Sequence, residues 1–98
     1  MEPKIQALFN ELKKVFLKGN VEYRFESELH KFRLERDGPY QWLYVAREFV
    51  DDYTVPELLA SLSSWKIPDV FRSSSQNRWL FLSEAGIREV NDSFGRGH

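Results

Sequence analysis

The chain has 98 residues, no cysteine and a formal net charge of −1, and 15% of its residues are aromatic. This length fits one small domain with a single hydrophobic core, so we expect residues 1–98 to form one domain with 95–98 as a frayed tail. The absence of cysteine excludes disulfides, thiolate metal ligands and a cysteine nucleophile. The near-neutral charge argues against nucleic-acid or membrane binding that depends on bulk charge.

The first segment has apolar residues at helical spacing: Ile5, Leu8, Phe9, Leu12, Val15 and Phe16. Pro3 suits the start of a helix, and Gly19-Asn20 suits its end. The spacing predicts an amphipathic helix that covers one face of a sheet. Charged residues interrupt the segment, and no window is apolar enough for a signal peptide or a membrane span, so we expect a cytoplasmic protein without membrane contact.

Alternating apolar and polar residues follow, with turn signals between them. Residues 21–26 and 30–35 each alternate, and 37–39 read Asp-Gly-Pro, so three sequential strands in an antiparallel meander are the economical topology. We expect the first helix to cover the face of Val21, Tyr23 and Phe25. The third strand, predicted over 41–49, is apolar on both faces, which is typical of a central strand.

The second half of the chain predicts a helix, a strand and a further helix. Thr54 and Glu57 match a capping box at the start of the first of these helices, and 69–72 can add one more turn. A strand follows the polar loop 73–77, over 78–82, and Ser83 caps a last helix with Ile87, Val90 and Phe94 on its apolar side.

The sequence therefore predicts an α+β fold of order α-β-β-β-α-β-α, with a three- to four-stranded antiparallel sheet packed against helices. The expected core consists of Leu8, Leu12, Val15, Phe16, Tyr23, Phe25, Phe32, Leu34, Val45, Leu58, Leu62, Leu80 and Leu82.

Catalytic and metal-binding patterns are scarce. His30 is the one histidine inside the predicted fold, and acid–base chemistry needs an oriented partner for it. Asp51 and Asp52 lack the spacing of a calcium loop, and acidic residues there favour the start of a helix. We therefore expect no enzyme, no metal and no cofactor.

Two groups of residues are candidate contact surfaces. Tyr40, Trp42 and Tyr44, with Arg47 nearby, offer the aromatic and arginine side chains that are enriched at protein interfaces. The same alternation fits a face buried under a helix, so the sequence leaves open whether this face is exposed. The function that follows is a small protein-binding or regulatory module, able to pair with another protein or with itself.

The alternative is a nucleic-acid module that uses Arg72, Arg78 and Trp79, because arginines beside aromatic rings contact phosphates and stack bases. These residues flank Ser73–Ser75, a possible site of modification. The string RWLFLSEAG over 78–86 resembles the strand-into-helix step of winged-helix proteins. The predicted element order is also similar to that of small type III secretion chaperones, which are dimers. Neither resemblance identifies a family.

Overall fold

The computed structural model describes residues 2–15, 19–35, 40–72, 76–91 and 94, which form helices and one sheet. The helices are α1 (Pro3–Val15), α2 (Arg47–Asp52), α3 (Val55–Ser64) and α4 (Ile67–Arg72). The strands are β1 (Asn20–Glu26), β2 (Leu29–Glu35), β3 (Tyr40–Ala46), β4 (Arg78–Ser83) and β5 (Gly86–Val90). The predicted α+β class, the first helix and the three-strand meander are confirmed.

The sheet has the order β1-β2-β3-β4-β5. Its first three strands are antiparallel neighbours, but β4 runs parallel to β3, and β5 is antiparallel to β4. The prediction of a wholly antiparallel sheet with three or four strands is wrong in this respect. The helices α2, α3 and α4 carry the chain back along the sheet before β4, and a parallel pair requires such a crossover.

The third strand is shorter than predicted, because the chain leaves the sheet after Ala46 and enters α2. A hydrogen bond from the Arg47 backbone N–H to the Glu28 carbonyl (3.3 Å) marks this point. Phe49 and Tyr53, whose ring centroids are 4.5 Å apart, are four residues apart as on one helical face. The prediction of a strand over 41–49 is therefore wrong for Phe49, which belongs to α2.

The predicted last helix is wrong, since residues 86–90 form β5. Ser83 does not cap a helix; its Oγ accepts a hydrogen bond from the Ala85 backbone N–H at 3.3 Å within a tight turn. Gly86 then adopts a φ of +109°, which excludes a helical start there. The segment that resembles the winged-helix step is therefore a β-hairpin.

The helices pack on one face of the sheet. The strand residues of the hydrophobic core all lie on that face: Val21, Phe32, Leu34, Leu43, Val45, Leu80 and Leu82. The helices contribute Ile5, Leu8, Leu12, Phe49, Val50, Leu58, Leu62, Ile67 and Phe71. We call this side the core face. Most of the predicted core is confirmed. The Val15 side chain and Phe16, which the prediction also placed in the core, lie outside the described residues, as do Ser73–Ser75 and the predicted tail 95–98.

Phe25 is the prediction that the core contradicts. Its side chain is 45% exposed although it shares a face with buried Val21. Tyr23, between them, is only partly buried against the core. The strand β1 lies at the edge of the sheet, so burial declines along it towards Phe25.

The second predicted helix begins as expected. Thr54 Oγ1 accepts a hydrogen bond from the Glu57 backbone N–H, and the Glu57 carboxylate accepts one from the Thr54 backbone N–H (2.9 Å). This capping box fixes the start of α3, from which Leu58 and Leu62 enter the core. Among the helices of the described residues, none has the length and apolar character that crossing a bilayer requires.

Candidate functional site

The side of the sheet opposite the helices carries a continuous group of aromatic side chains. Tyr40, Trp42 and Tyr44 alternate along β3 onto this side. In the adjacent parallel strand, Trp79 lies opposite Trp42 and Phe81 lies opposite Tyr44. We call this group, together with Phe94, the aromatic face; its members are Tyr40, Trp42, Tyr44, Trp79, Phe81 and Phe94.

Four rings of the aromatic face, Trp42, Tyr44, Phe81 and Phe94, are linked by ring contacts. Trp42 and Tyr44 meet edge to face at 6.1 Å between centroids. Phe94 stacks on Tyr44 at 6.1 Å with an interplanar angle of 17°, and lies 4.8 Å from Phe81. Such pairs add stability beyond simple burial and hold the rings in fixed orientations. These four rings therefore form one packed cluster across β3, β4 and Phe94.

Cationic side chains lie over these rings. The Lys31 ammonium is 5.1 Å from the centroid of Tyr44, and the Arg33 guanidinium is 5.1 Å from that of Tyr40 and 5.9 Å from that of Trp42. On the β5 side, the Arg88 guanidinium is 5.4 Å from both the Phe81 and the Phe94 centroids. These cations are within the range of cation–π attraction, and they border the aromatic face on two sides.

The cations on the β2 side also have carboxylate partners. Arg33 pairs with Glu22 across the β1–β2 ladder. Lys31 is only 3% exposed and pairs with Glu26 at 2.9 Å. The charge of these cations is thus balanced locally, and this part of the surface does not present an uncompensated positive field.

Exposure is uneven across the aromatic face, which answers the question that the sequence left open. Tyr40 is 39% exposed, Trp42, Trp79 and Phe81 are partly buried, and Tyr44 is 5% exposed. The buried residues of the helices belong to the core on the other side of the sheet. The face is thus partly open, and its access is greatest at Tyr40.

Arg47, the fourth residue of the predicted protein-contact surface, is not placed beside Tyr40. It begins α2, beyond the far end of β3, roughly 20 Å along the strand from Tyr40. Its guanidinium pairs with Glu28 at 2.6 Å and with Asp51 at 3.8 Å. Arg47 thus joins the β1–β2 turn to α2.

Two residues of the predicted nucleic-acid surface, Arg78 and Trp79, lie on opposite sides of the sheet. Arg78 and Trp79 are neighbours in β4, so their side chains leave opposite faces of the sheet. Arg78 is on the core face and donates to Glu89 at 2.8 Å, while Trp79 is on the aromatic face. The side chain of Arg72 lies outside the described residues.

His30 lies on the core face near the start of β2. Its Nδ1 is 2.8 Å from the Tyr23 hydroxyl, and its ring packs against Phe25 at 4.8 Å. Its Nε2 is buried and has no hydrogen-bond partner among the described residues. Burial lowers the pKa of His30. The Glu2 and Asp51 carboxylates oppose this shift, and the positive charge of Arg47 adds to it. Burial also raises the pKa of Tyr23.

The acidic pair Asp51 and Asp52 ends α2 and is exposed. The Lys4 ammonium donates to the backbone carbonyls of Val50 (2.9 Å) and Asp51 (3.1 Å), which satisfies orphan carbonyls at this helix end. Within the described ranges, no three His, Asp or Glu side chains are grouped so as to hold a metal ion.

Sequence reasoning missed that Phe81, Phe94, Arg33 and Arg88 belong to the same surface as Trp42. Phe81 and Trp79 have the same parity in β4, which is a signal for a shared face. The pairing of that face with β3 depends on the parallel register, which local sequence does not reveal.

Comparison with family models, with curated proteins and with solved structures finds no match.

Proposed function

We propose that this protein is a non-enzymatic protein-binding module and that the aromatic face is its contact surface. The observation that carries the proposal is the set of Tyr, Trp and Arg side chains in mutual contact on the side of the sheet away from the helices. These residue types dominate the binding energy of protein interfaces, because their large apolar areas are buried at a low entropic cost. The partner surface that fits presents apolar side chains to Tyr40 and Trp42.

Charge favours a protein partner over nucleic acid. A surface for single strands combines free ring faces with cations that neutralise phosphates. Here Arg33 lies over the rings of Tyr40 and Trp42, and it is paired with Glu22. A phosphate would have to compete with that carboxylate, and a base would have to displace the guanidinium. An apolar partner side chain can instead pack against Tyr40 with the ion pair intact at the rim.

The test uses affinity capture from native lysate followed by titration of the purified captured protein. The probes are the wild type, Tyr40→Ala and Trp42→Ala, with Trp65→Ala as the matched control. Trp65 is 47% exposed, close to the 39% of Tyr40, but it lies against Gly86, at the β4–β5 turn. Tyr40→Ala protects the test from misfolding, since Tyr40 is exposed whereas truncation of a partly buried tryptophan costs stability.

The proposal predicts a protein that the wild type and Trp65→Ala bind equally and that both face variants bind at least about tenfold more weakly. Equal binding by all four chains would overturn it. A labelled single-stranded oligonucleotide is titrated in parallel. Binding of that oligonucleotide that depends on Tyr40 and falls steeply with salt would assign the face to nucleic acid instead.

A further inference from the structure

The strand β1 is an edge of the sheet, and its outer backbone groups can be identified. Ser27 and Glu28 form a two-residue turn with φ values of 54° and 62°, as in a type I′ hairpin. In such a hairpin the flanking residues Glu26 and Leu29 bond to each other, and every second pair along the ladder repeats this pattern. The N–H and C=O groups of Val21, Tyr23 and Phe25 therefore point away from β2.

This edge lacks several of the features that hinder pairing with another strand. The residues 20–26 pair one to one with 35–29, without a bulge, and they include no proline and no lysine. Phe25 exposes 45% of its surface at this edge. Natural edge strands are commonly blunted by bulges, prolines or charged side chains, lysine above all. The charges of β1 alternate in sign, so this seven-residue edge is a template for a strand whose charges complement them.

The charged side chains of β1 alternate in sign on the side of the sheet that bears the aromatic face. Glu22, Arg24 and Glu26 follow one another there, and all three are exposed. In an antiparallel pair of identical strands, members of this set lie opposite one another. The register therefore decides whether opposite or like charges meet, and directly opposite like charges are destabilising.

We propose that two copies of this chain pair through β1 in antiparallel orientation, with Tyr23 opposite the partner's Tyr23. In this register all seven residues of β1 are paired, and the outward backbone groups of Val21 meet those of the partner's Phe25. Glu22 lies opposite the partner's Arg24, which gives two symmetry-related ion pairs. The exposed ring of Phe25 packs beside the partner's Val21 on the core face.

The two neighbouring registers are less favourable, both in the charges that face each other and in the number of residues that are paired. The outward N–H and C=O groups of one strand must meet the outward groups of the other. The two strands can therefore shift past each other only in steps of two residues. One such step places Glu22 opposite the partner's Glu22, and the step in the other direction places Arg24 opposite the partner's Arg24. Each also leaves two residues of each strand unpaired. Among the registers that pair at least five residues of β1, the alternation of charge therefore selects one.

The dimer has a defined architecture. The two-fold axis of an antiparallel pair is perpendicular to the sheet, so the two five-stranded sheets join into one of ten strands. The helices of both copies then lie on one side, and both aromatic faces lie on the other. This pairing does not depend on the proposed binding function, because β1 contributes no ring to the aromatic face.

The experiment measures mass by sedimentation velocity from micromolar to millimolar concentration, with circular dichroism to confirm folding. The chains are the wild type, Glu22→Arg and Arg24→Glu, each single variant alone and then both in equimolar mixture. The expected wild-type mass is twice the 11.7 kDa of one chain. Each single variant brings like charges together and weakens dimerisation by at least about tenfold.

The mixture is the decisive arm. In a pair made of one Glu22→Arg chain and one Arg24→Glu chain, all four facing positions are again of opposite charge, so the heterodimer forms at wild-type concentrations. A wild type that stays at 11.7 kDa throughout the range overturns the proposal. So does a dimer that neither single variant weakens, or a mixture of folded variants that fails to associate.

Discussion

Replacement of Gly86 by alanine tests how the β4–β5 hairpin is held against α3. Gly86 has a φ of +109°, a region that side chains with a Cβ rarely adopt. A Cβ built at this position would lie 3.2 Å and 3.3 Å from two carbons of the Trp65 ring. The hairpin carries Trp79 and Phe81, so its attachment bears directly on the aromatic face.

The magnitude follows from separating these two effects. A residue forced into a sparsely populated backbone region costs about 1–3 kcal/mol. The contact with Trp65 requires movement of a few tenths of an ångström, and Trp65 is 47% exposed, so its ring can rotate outward. We therefore expect Gly86→Ala to lower the free energy of unfolding by about 1–3 kcal/mol, with backbone strain as the main cause.

The assay is urea unfolding followed by tryptophan fluorescence and far-ultraviolet circular dichroism, for a four-member cycle of wild type, Gly86→Ala, Trp65→Ala and the double variant. If backbone strain dominates, the cost of Gly86→Ala is the same with and without Trp65, to within about 0.5 kcal/mol. If Gly86→Ala left the free energy of unfolding unchanged, the inference of backbone strain at this position would be refuted. A cost that disappears when Trp65 is removed would show that crowding by the ring, and not φ, is responsible.

Three further predictions concern other parts of the fold. Because burial lowers the pKa of His30, the unfolded chain binds a proton before the folded chain does as the pH falls below 6.5, so the stability of the wild type decreases there. His30→Phe should remove this part of the pH dependence in unfolding titrations. Glu26→Gln leaves the buried Lys31 ammonium less compensated and should cost about 1 kcal/mol, more than Lys31→Met, in chemical denaturation. Thr54→Ala removes the cap of α3 and should lower stability by about 1 kcal/mol, whereas Thr54→Ser should retain most of it.

The elements that the sequence predicted well are those whose signals are local. The spacing of Ile5, Leu8 and Leu12 is sufficient for α1, and the Thr54 capping box marks the start of α3. Alternation likewise predicts β1 and β2, and it places Tyr40 and Trp42 on one side of β3. These patterns depend on residues within one or two turns of each other, so a single sequence contains them in full.

The errors arose where one pattern fits two structures. Ile87 and Val90 are three residues apart, which suits a helix, but in β5 Ile87 packs towards the core and Val90 pairs opposite Trp79 on the other side. Phe25 has the parity of a core residue, but it lies near the end of an edge strand and is 45% exposed. Tertiary position decided both cases.

Only the β3 part of the candidate site could be predicted from the sequence, for the same reason. Tyr40, Trp42 and Tyr44 share one strand, so alternation groups them. Trp79 joins them through the parallel register of β4 on β3, between residues that are 37 positions apart in the chain. No local pattern encodes that register, so the sequence alone groups Trp79 with Arg72 and Arg78.

The parallel placement of β4 has a consequence for the order of folding. The strands β1, β2 and β3 make contacts between segments close in sequence, and such hairpins form quickly. Their pairing with β4 must wait until the long crossover from Ala46 to Arg78 has closed, which is slower because of the entropy of that loop. Until then β3 is an unprotected edge that carries apolar side chains on both faces, Leu43 and Val45 on one and Trp42 and Tyr44 on the other. The interval before β4 docks is therefore the stage at which this chain is most prone to aggregate, and chaperone binding or a lower synthesis rate would act there.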